Sequence, residues 1–412
     1  MQTHLSPEFA QTPEGEEARA IVLKCVHCGF CNATCPTYQL LGDELDGPRG
    51  RIYLIKQVLE GAEVTRTTQQ HLDRCLTCLN CQTTCPSGVE YGHLVDIGRK
   101  LVDARVERPV FEKTLRWALQ EGLTSALFAP AIRLGQLLRP LLPPALKTIV
   151  PIRSKARPDQ GSRGSRQRKM LLLAGCVQPA MMPNINRATQ RVLSVLGIDT
   201  LYAVDAGCCG AVRSHLGDAD GGLADMRRNV DAWIPMLAHG EIEAIVASAS
   251  ACGLAIKEYG HALANDVGYS SNAARVSELA RDVSELLPEL VPALKGKLNL
   301  RGVNRLAFHS PCTLQHGQRL IGGVETHLRA LGFDVAVPSA ESQMCCGAAG
   351  TYSILQPLLA NRLRERKLAN LAELDPQCIV SANMGCIRHL QSGTATPVRH
   401  WIEVLDEALS PV

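Results

Sequence analysis

The 412 residues carry 43 Lys and Arg against 40 Asp and Glu, a net charge of +3 that is too small to coat a nucleic acid. With 46% hydrophobic and 20% charged residues the chain is globular rather than disordered, and no apolar run approaches the roughly 20 residues of a membrane-spanning helix. The length predicts two or three domains. Cysteine stands out, with 17 residues. The opening MQTHLSPEFAQTPEGEEARAIVLKC is polar and acidic and does not read as a secretory signal. The thiols are therefore expected in the cytoplasm, where clustered cysteines signify metal or redox chemistry rather than disulfides.

The first cluster is CVHCGFCNATCP, which sets Cys25, Cys28, Cys31 and Cys35 at spacings x2, x2 and x3 before Pro36. CLTCLNCQTTCP repeats it with Cys75, Cys78, Cys81, Cys85 and Pro86. Three thiolates two residues apart wrap three corners of an iron–sulfur cube, and a distant cysteine must complete the fourth. On that logic Cys25, Cys28, Cys31 and Cys85 hold one [4Fe-4S] cluster, while Cys75, Cys78, Cys81 and Cys35 hold another. Zinc needs only four ligands per site, and nothing in a zinc ribbon requires this doubled x2-x2-x3-Pro spacing.

Between the two runs, GPRGRIYLIKQVLEG and VTRTTQQHLDRC read as helices, Ile52, Ile55, Val58 and Leu59 forming the apolar stripe of the first. The helical insertion makes residues 1–100 resemble the ferredoxin domain of succinate dehydrogenase-type subunits. Arg49, Arg51, Asp43, Glu44 and Asp46 are expected in a solvated loop, the other reading being that they face a partner or the clusters' negative charge. Residues 101–152 read as a helical connecting region. The stripe Phe111, Leu115, Leu119, Phe128 and Ile132 is expected to pack as a layer on the ferredoxin domain, the other reading being a membrane or partner face. Residues 153–169, rich in Arg, Lys, Gly and Ser, read as an exposed basic linker.

Strands then alternate with helices in two copies, 170–300 and 301–412, each ending its elements in cysteines. Matching cysteines lie 136, 137 and 134 residues apart at 176/312, 208/345 and 252/386. Two α/β units related by a pseudo-twofold axis follow. Cys176, Cys208, Cys209 and Cys252 in one copy, and Cys312, Cys345, Cys346 and Cys386 in the other, fall in loops after strands, where such sheets collect ligands. They form a candidate third site. Cys378 stands outside it as a buried apolar-type residue.

The Cys-Cys-Gly units resemble the cysteine-rich CCG domains of heterodisulfide reductases, whose motif ends in CxxC. Here Ala255 and His389 stand where the last cysteine would be. His389 is a candidate nitrogen ligand, as in Rieske centres, with structural thiols as the other reading. The stretches CVHCGFCNATCPTYQLLGDELDGPRGRIYLIKQVLEG, HLDRCLTCLNCQTTCPSGVEY, DAGCCGA and VRHWIEVLDEAL together resemble the iron–sulfur subunits of bacterial glycolate oxidase, a glycolate dehydrogenase. No GxGxxG or P-loop is present. The resemblance implies an FAD-binding partner subunit that oxidises glycolate to glyoxylate, and a chain that passes the electrons towards a membrane quinone from the inner face of the cytoplasmic membrane. Equivalent subunits serve D-lactate and glycerol 3-phosphate, and a CCG site acting as a thiol or quinone reductase is the reading from another class.

Overall fold

The computed structural model describes residues 1–141, 143, 150, 168–238, 240–300 and 305–409. Most of the basic segment 153–169 lies outside the described residues.

The first part is helical: no strand precedes Arg168 among the described residues. Thr12 caps the helix Pro13–Lys24 by accepting from the Gly15 N–H, and Pro48 starts Pro48–Leu59 where a missing N–H costs nothing. Arg66–Asp73 and Tyr91–Asp103 complete a bundle whose core joins Ile21, Ile55, Leu59, Leu72, Leu94 and Val102. Gly98 lets Tyr91–Asp103 approach Pro48–Leu59, since a Cβ there would lie 2.5 Å from Ile55. The two cysteine loops sit at one end of this bundle.

The connecting region departs from expectation. Its stripe breaks into two helices, Val110–Thr124 and Phe128–Leu137, and neither buries a residue. Phe111 and Trp117 are 77% and 61% exposed. Charge holds the first helix instead: Arg116 pairs with Asp73 at 3.0 Å, and Glu121 with Arg213 at 2.6 Å. Of the apolar stripe Phe111 lies outside, while Leu115, Leu119, Phe128 and Ile132 are half-buried, so it packs only in part.

The rest comprises two parallel four-stranded sheets. In the first, β1 (Arg168–Leu172), β2 (Ile198–Leu201), β3 (Ile242–Ala247) and β4 (Ala280–Asp282) are ordered β2-β1-β3-β4. In the second, β5 (Arg305–His309), β6 (Asp334–Ala336), β7 (Cys378–Ser381) and β8 (Val398–His400) are ordered β6-β5-β7-β8. The strands read as continuous apolar runs because helices cover both faces. One core runs through both units, joining Met170, Ile185 and Leu287 to Phe308, Leu331 and Trp401. Arg191 forks onto Asp406 at 2.8 and 2.7 Å across the junction, and the Ser250 N–H donates to Ala382 O at 3.0 Å.

His400 caps the helix Trp401–Ala408, its Nδ1 accepting the Ile402 N–H at 3.1 Å. Burial brings its pKa down to about 3, while the unfolded chain protonates near the ordinary imidazole value of about 6.5. Above that value nothing is lost; as pH falls below it only the unfolded chain takes up the proton, and stability drops by up to about 1.4 kcal/mol per pH unit. His400→Asn keeps an acceptor at the cap. It is expected to flatten the acid limb of the thermal midpoint against pH between about 6.5 and 3; an unchanged limb would contradict this.

Candidate metal centres

The two cysteine loops adopt one winding. His27 and Gly29 flank Cys28 with φ of 59° and 87°, and Thr77 and Leu79 flank Cys78 with φ of 51° and 61°. Three of these four are not glycine, so the left-handed turns are held by their surroundings at a cost in strain. The turns curl each backbone round its sulfurs, and the Thr77 N–H donates to Cys75 Sγ at 3.4 Å.

Two neighbouring cavities lie where the loops meet. One, of about 440 Å³ and open to solvent, is lined by Cys25, Cys28, Cys31 and Cys85, and also by Cys81. The other, about 290 Å³, is lined by Cys35, Cys75, Cys78 and Cys81. The fourth cysteine of each run thus faces the other run's cavity. Each cavity gathers at least four cysteine sulfurs and no carboxylate, with His27 also on the wall of the first, a set that suits iron–sulfur clusters. Burial and the neighbouring sulfurs Cys25, Cys28 and Cys85 push the Cys31 thiol up to about 11; Cys78 and Cys81 are raised for the same two reasons. Thiols so crowded ionise when a metal takes the charge.

Cys75 goes the other way. Burial opposes its ionisation, but Arg51, Arg99, the Tyr91 hydroxyl at 3.5 Å and the Thr77 N–H outweigh it and lower its pKa. Arg51 is 1% exposed and corrects the expectation of a solvated loop. It donates to the His71 carbonyl at 2.7 Å and to Thr37 at 3.2 Å, and Asp46, fully buried, receives Arg74 at 2.8 Å and lies 3.0 Å from His71 Nδ1. Arg49 and Glu44 remain half-buried partners, and Asp43 is exposed.

In each α/β unit the four candidate cysteines converge at the carboxyl ends of the strands. In the first, Cys176, Cys208, Cys209 and Cys252 lie close enough to act on one another's ionisation. Cys176, Cys209 and the backbone N–H groups of Gly210 and Val212 lower the pKa of Cys208 against the effect of burial. In the second, Cys312 and Cys345 are 3.9 Å apart, Cys346 adjoins both Cys345 and Cys386, and the Gly347 N–H donates to Cys345 at 3.4 Å. Cys78 of the second loop packs with Cys312 and Cys345 in one buried cluster, so the second unit's thiols abut the ferredoxin-like cavities. The buried ammonium of Lys367 faces this set.

His389 does not join the thiols: its Nε2 lies 3.1 Å from the Ala360 carbonyl. His309, at the end of β5, takes that place, with a ring nitrogen within 4.8 Å of both Cys346 and Cys386. The signal for His309 was its place three residues before Cys312. Arg99 and Lys367 had none, because nothing in spacing shows which charge a fold turns inward. Cys378 is buried in β7 and bonds the Ile379 carbonyl at 3.5 Å, apart from the thiol sets.

Residues 21–89 match the 4Fe-4S dicluster domain, and residues 170–257 and 306–391 each match the cysteine-rich domain. The chain is 53% identical over 412 residues, 99% of both chains, to a glycolate oxidase iron-sulfur subunit of Escherichia coli. It is 27% identical to a probable glycolate oxidase iron-sulfur subunit of Bacillus subtilis, over 90% of this chain and 89% of the other. Lactate utilization protein A of Geobacillus thermodenitrificans is 24% identical over 58% of this chain and 98% of its own.

Arg99 donates to the Cys75 and Leu72 carbonyls at 2.6 and 2.9 Å and to Thr77 at 2.9 Å. Its positive charge favours the reduced state of whatever the sulfurs hold. Arg99→Gln is expected to lower one midpoint potential by roughly 50–100 mV in a redox titration followed by electron paramagnetic resonance, with Arg99→Lys close to wild type. Equal potentials in all three proteins would show that the charge is screened.

Proposed function

The chain belongs to the family of glycolate oxidase iron–sulfur subunits, and from that membership and the crossed cysteine cavities we propose that it is the electron-transfer subunit of a glycolate dehydrogenase. Hydroxy-acid oxidation to glyoxylate takes place on an FAD-binding partner subunit, and a membrane quinone receives the electrons. Cys25, Cys28, Cys31 and Cys85 hold one [4Fe-4S] cluster, and Cys75, Cys78, Cys81 and Cys35 the other. When bound, the clusters supply one-electron carriers whose charge is spread over many atoms.

The chain's own residues do the rest. Arg51, Arg99 and Tyr91 stabilise the sulfur charge on the inner loop, while exposed Cys28 marks the outer loop as the side open to a partner. The observation that carries the reading is the exchange of the fourth cysteines between the cavities. The sulfurs of Cys312, Cys345, Cys346 and Cys386 form a third site beside Cys78, on the way out. Cytoplasmic and peripheral placement fits as well. Among the described residues no helix is long and apolar enough to cross a membrane, and the exposed Phe111, Trp117 and Leu137 lie on the helices that precede the basic segment. Such a pairing of apolar side chains with Lys and Arg suits an anionic lipid surface.

The assembled complex tests the reading. Cys28→Ser and Cys78→Ser are each expected to abolish glycolate-dependent quinone reduction while the flavin is still reduced by glycolate. Full turnover with one cluster demonstrably missing would overturn the relay. Cys346→Ala, which spares both sets of four, is expected to stop electron exit; unchanged turnover would make the repeat structural.

A further inference from the structure

The two α/β units share strand order and thiol placement, yet they differ at a buried pair of positions beside the thiols. His309 ends β5, and at the same place in the first unit, by the 136-residue offset of Cys176 and Cys312, stands Leu173. Ser381 ends β7, and the 134-residue offset of Cys252 and Cys386 puts Ala247 there in the first unit. An apolar pair has a polar counterpart in the second unit alone.

That polar pair is aimed. His309 is 2% exposed, and its Nδ1 lies 2.9 Å from Ser381 Oγ, a bond that sets the direction of the ring. The opposite nitrogen, Nε2, is buried and finds no hydrogen-bond partner among the described residues. Leaving an imidazole nitrogen so carries a desolvation penalty that a leucine there would not. A ring nitrogen of His309 and the sulfurs of Cys346 and Cys386 lie within 4.8 Å of one another, and Nδ1 is already engaged by Ser381. Imidazole nitrogen and thiolate sulfur are both donors that iron accepts. The Asn383 amide donates to Cys386 at 3.6 Å and the Gly347 N–H to Cys345 at 3.4 Å, the outer bonds that hold ligands in place.

We propose that His309 Nε2 is a ligand of an iron–sulfur cluster in the second unit, completing with nitrogen the set Cys312, Cys345, Cys346 and Cys386. This rests on the reading of those thiols as a third metal site, and it makes the two repeats chemically unequal, since Leu173 can donate nothing. Nitrogen in place of thiolate leaves the cluster less negative, which raises its potential, as two histidines do in Rieske centres. A site of higher potential beside Cys78 draws electrons from the ferredoxin-like pair.

The test uses the full chain purified without oxygen, grown with natural or ¹⁵N-labelled histidine, and reduced stepwise. Pulsed electron paramagnetic resonance is expected to show a directly bound ¹⁴N coupling that becomes a ¹⁵N coupling on labelling, a measurement that needs no variant. His309→Ala should lose the coupling while the signals of the first two clusters stay, and His389→Ala should keep it. Iron and sulfide beyond two cubanes with no nitrogen coupling would overturn the ligand assignment and leave the third site standing. Iron for two cubanes only would sink both, and a coupling that survives in His309→Ala but not in His389→Ala would transfer the role to His389.

Discussion

Eight sulfurs that carry negative charge when ligating converge at one end of a helical bundle, five of them almost out of reach of water, and such charge persists there only where buried cations oppose it. Arg51 is the centre of that opposition. It reaches from Pro48–Leu59 between the two loops, touches the backbone ahead of one and Thr37 beside the other, and is itself balanced by Asp46. A buried guanidinium with fixed partners ties the loops to one distance, and the exchange of fourth cysteines depends on that distance. Arg99 and Tyr91 add the asymmetry that singles out Cys75.

The tandem units show how one topology serves unequal ends. A parallel sheet ordered 2-1-3-4 opens a crevice at the carboxyl ends of its first and third strands, because the connections leave in opposite directions there. Both units place their thiols in that crevice. The continuous core from Met170 to Trp401 then sets one crevice against the ferredoxin-like domain, with Cys78 and Cys312 in a single cluster. Duplication supplied two sites, and packing brought the second into contact with the relay.

Much of the site was legible because cysteine ligands within a loop are a matter of local spacing. The runs at 25–35 and 75–85 and the three offsets of the repeat are read without any tertiary contact, and the structure brings each expected set of four together. Charges were not legible in the same way. Arg51 and Arg49 are two residues apart on one helix, yet one is sealed and the other half-exposed. The stripe of Phe111 and Leu115 reads as a core face by period alone, yet Phe111 is exposed and Leu115 only half-buried, while Arg116 and Glu121 are held by ion pairs. His389 and His309 both lie three residues from a cysteine, and only ring direction separates a candidate ligand from a bond to a carbonyl.

Taken alone, the amino-acid order determined the ligand chemistry, the doubled ferredoxin pattern and the duplication, because each depends on residue type and interval along a single stretch of chain. The tertiary structure decided which arginines face sulfur, which histidine stands with the thiols and which repeat adjoins the clusters. Those depend on distances between segments far apart in the chain, and burial and the low dielectric around it set their energies.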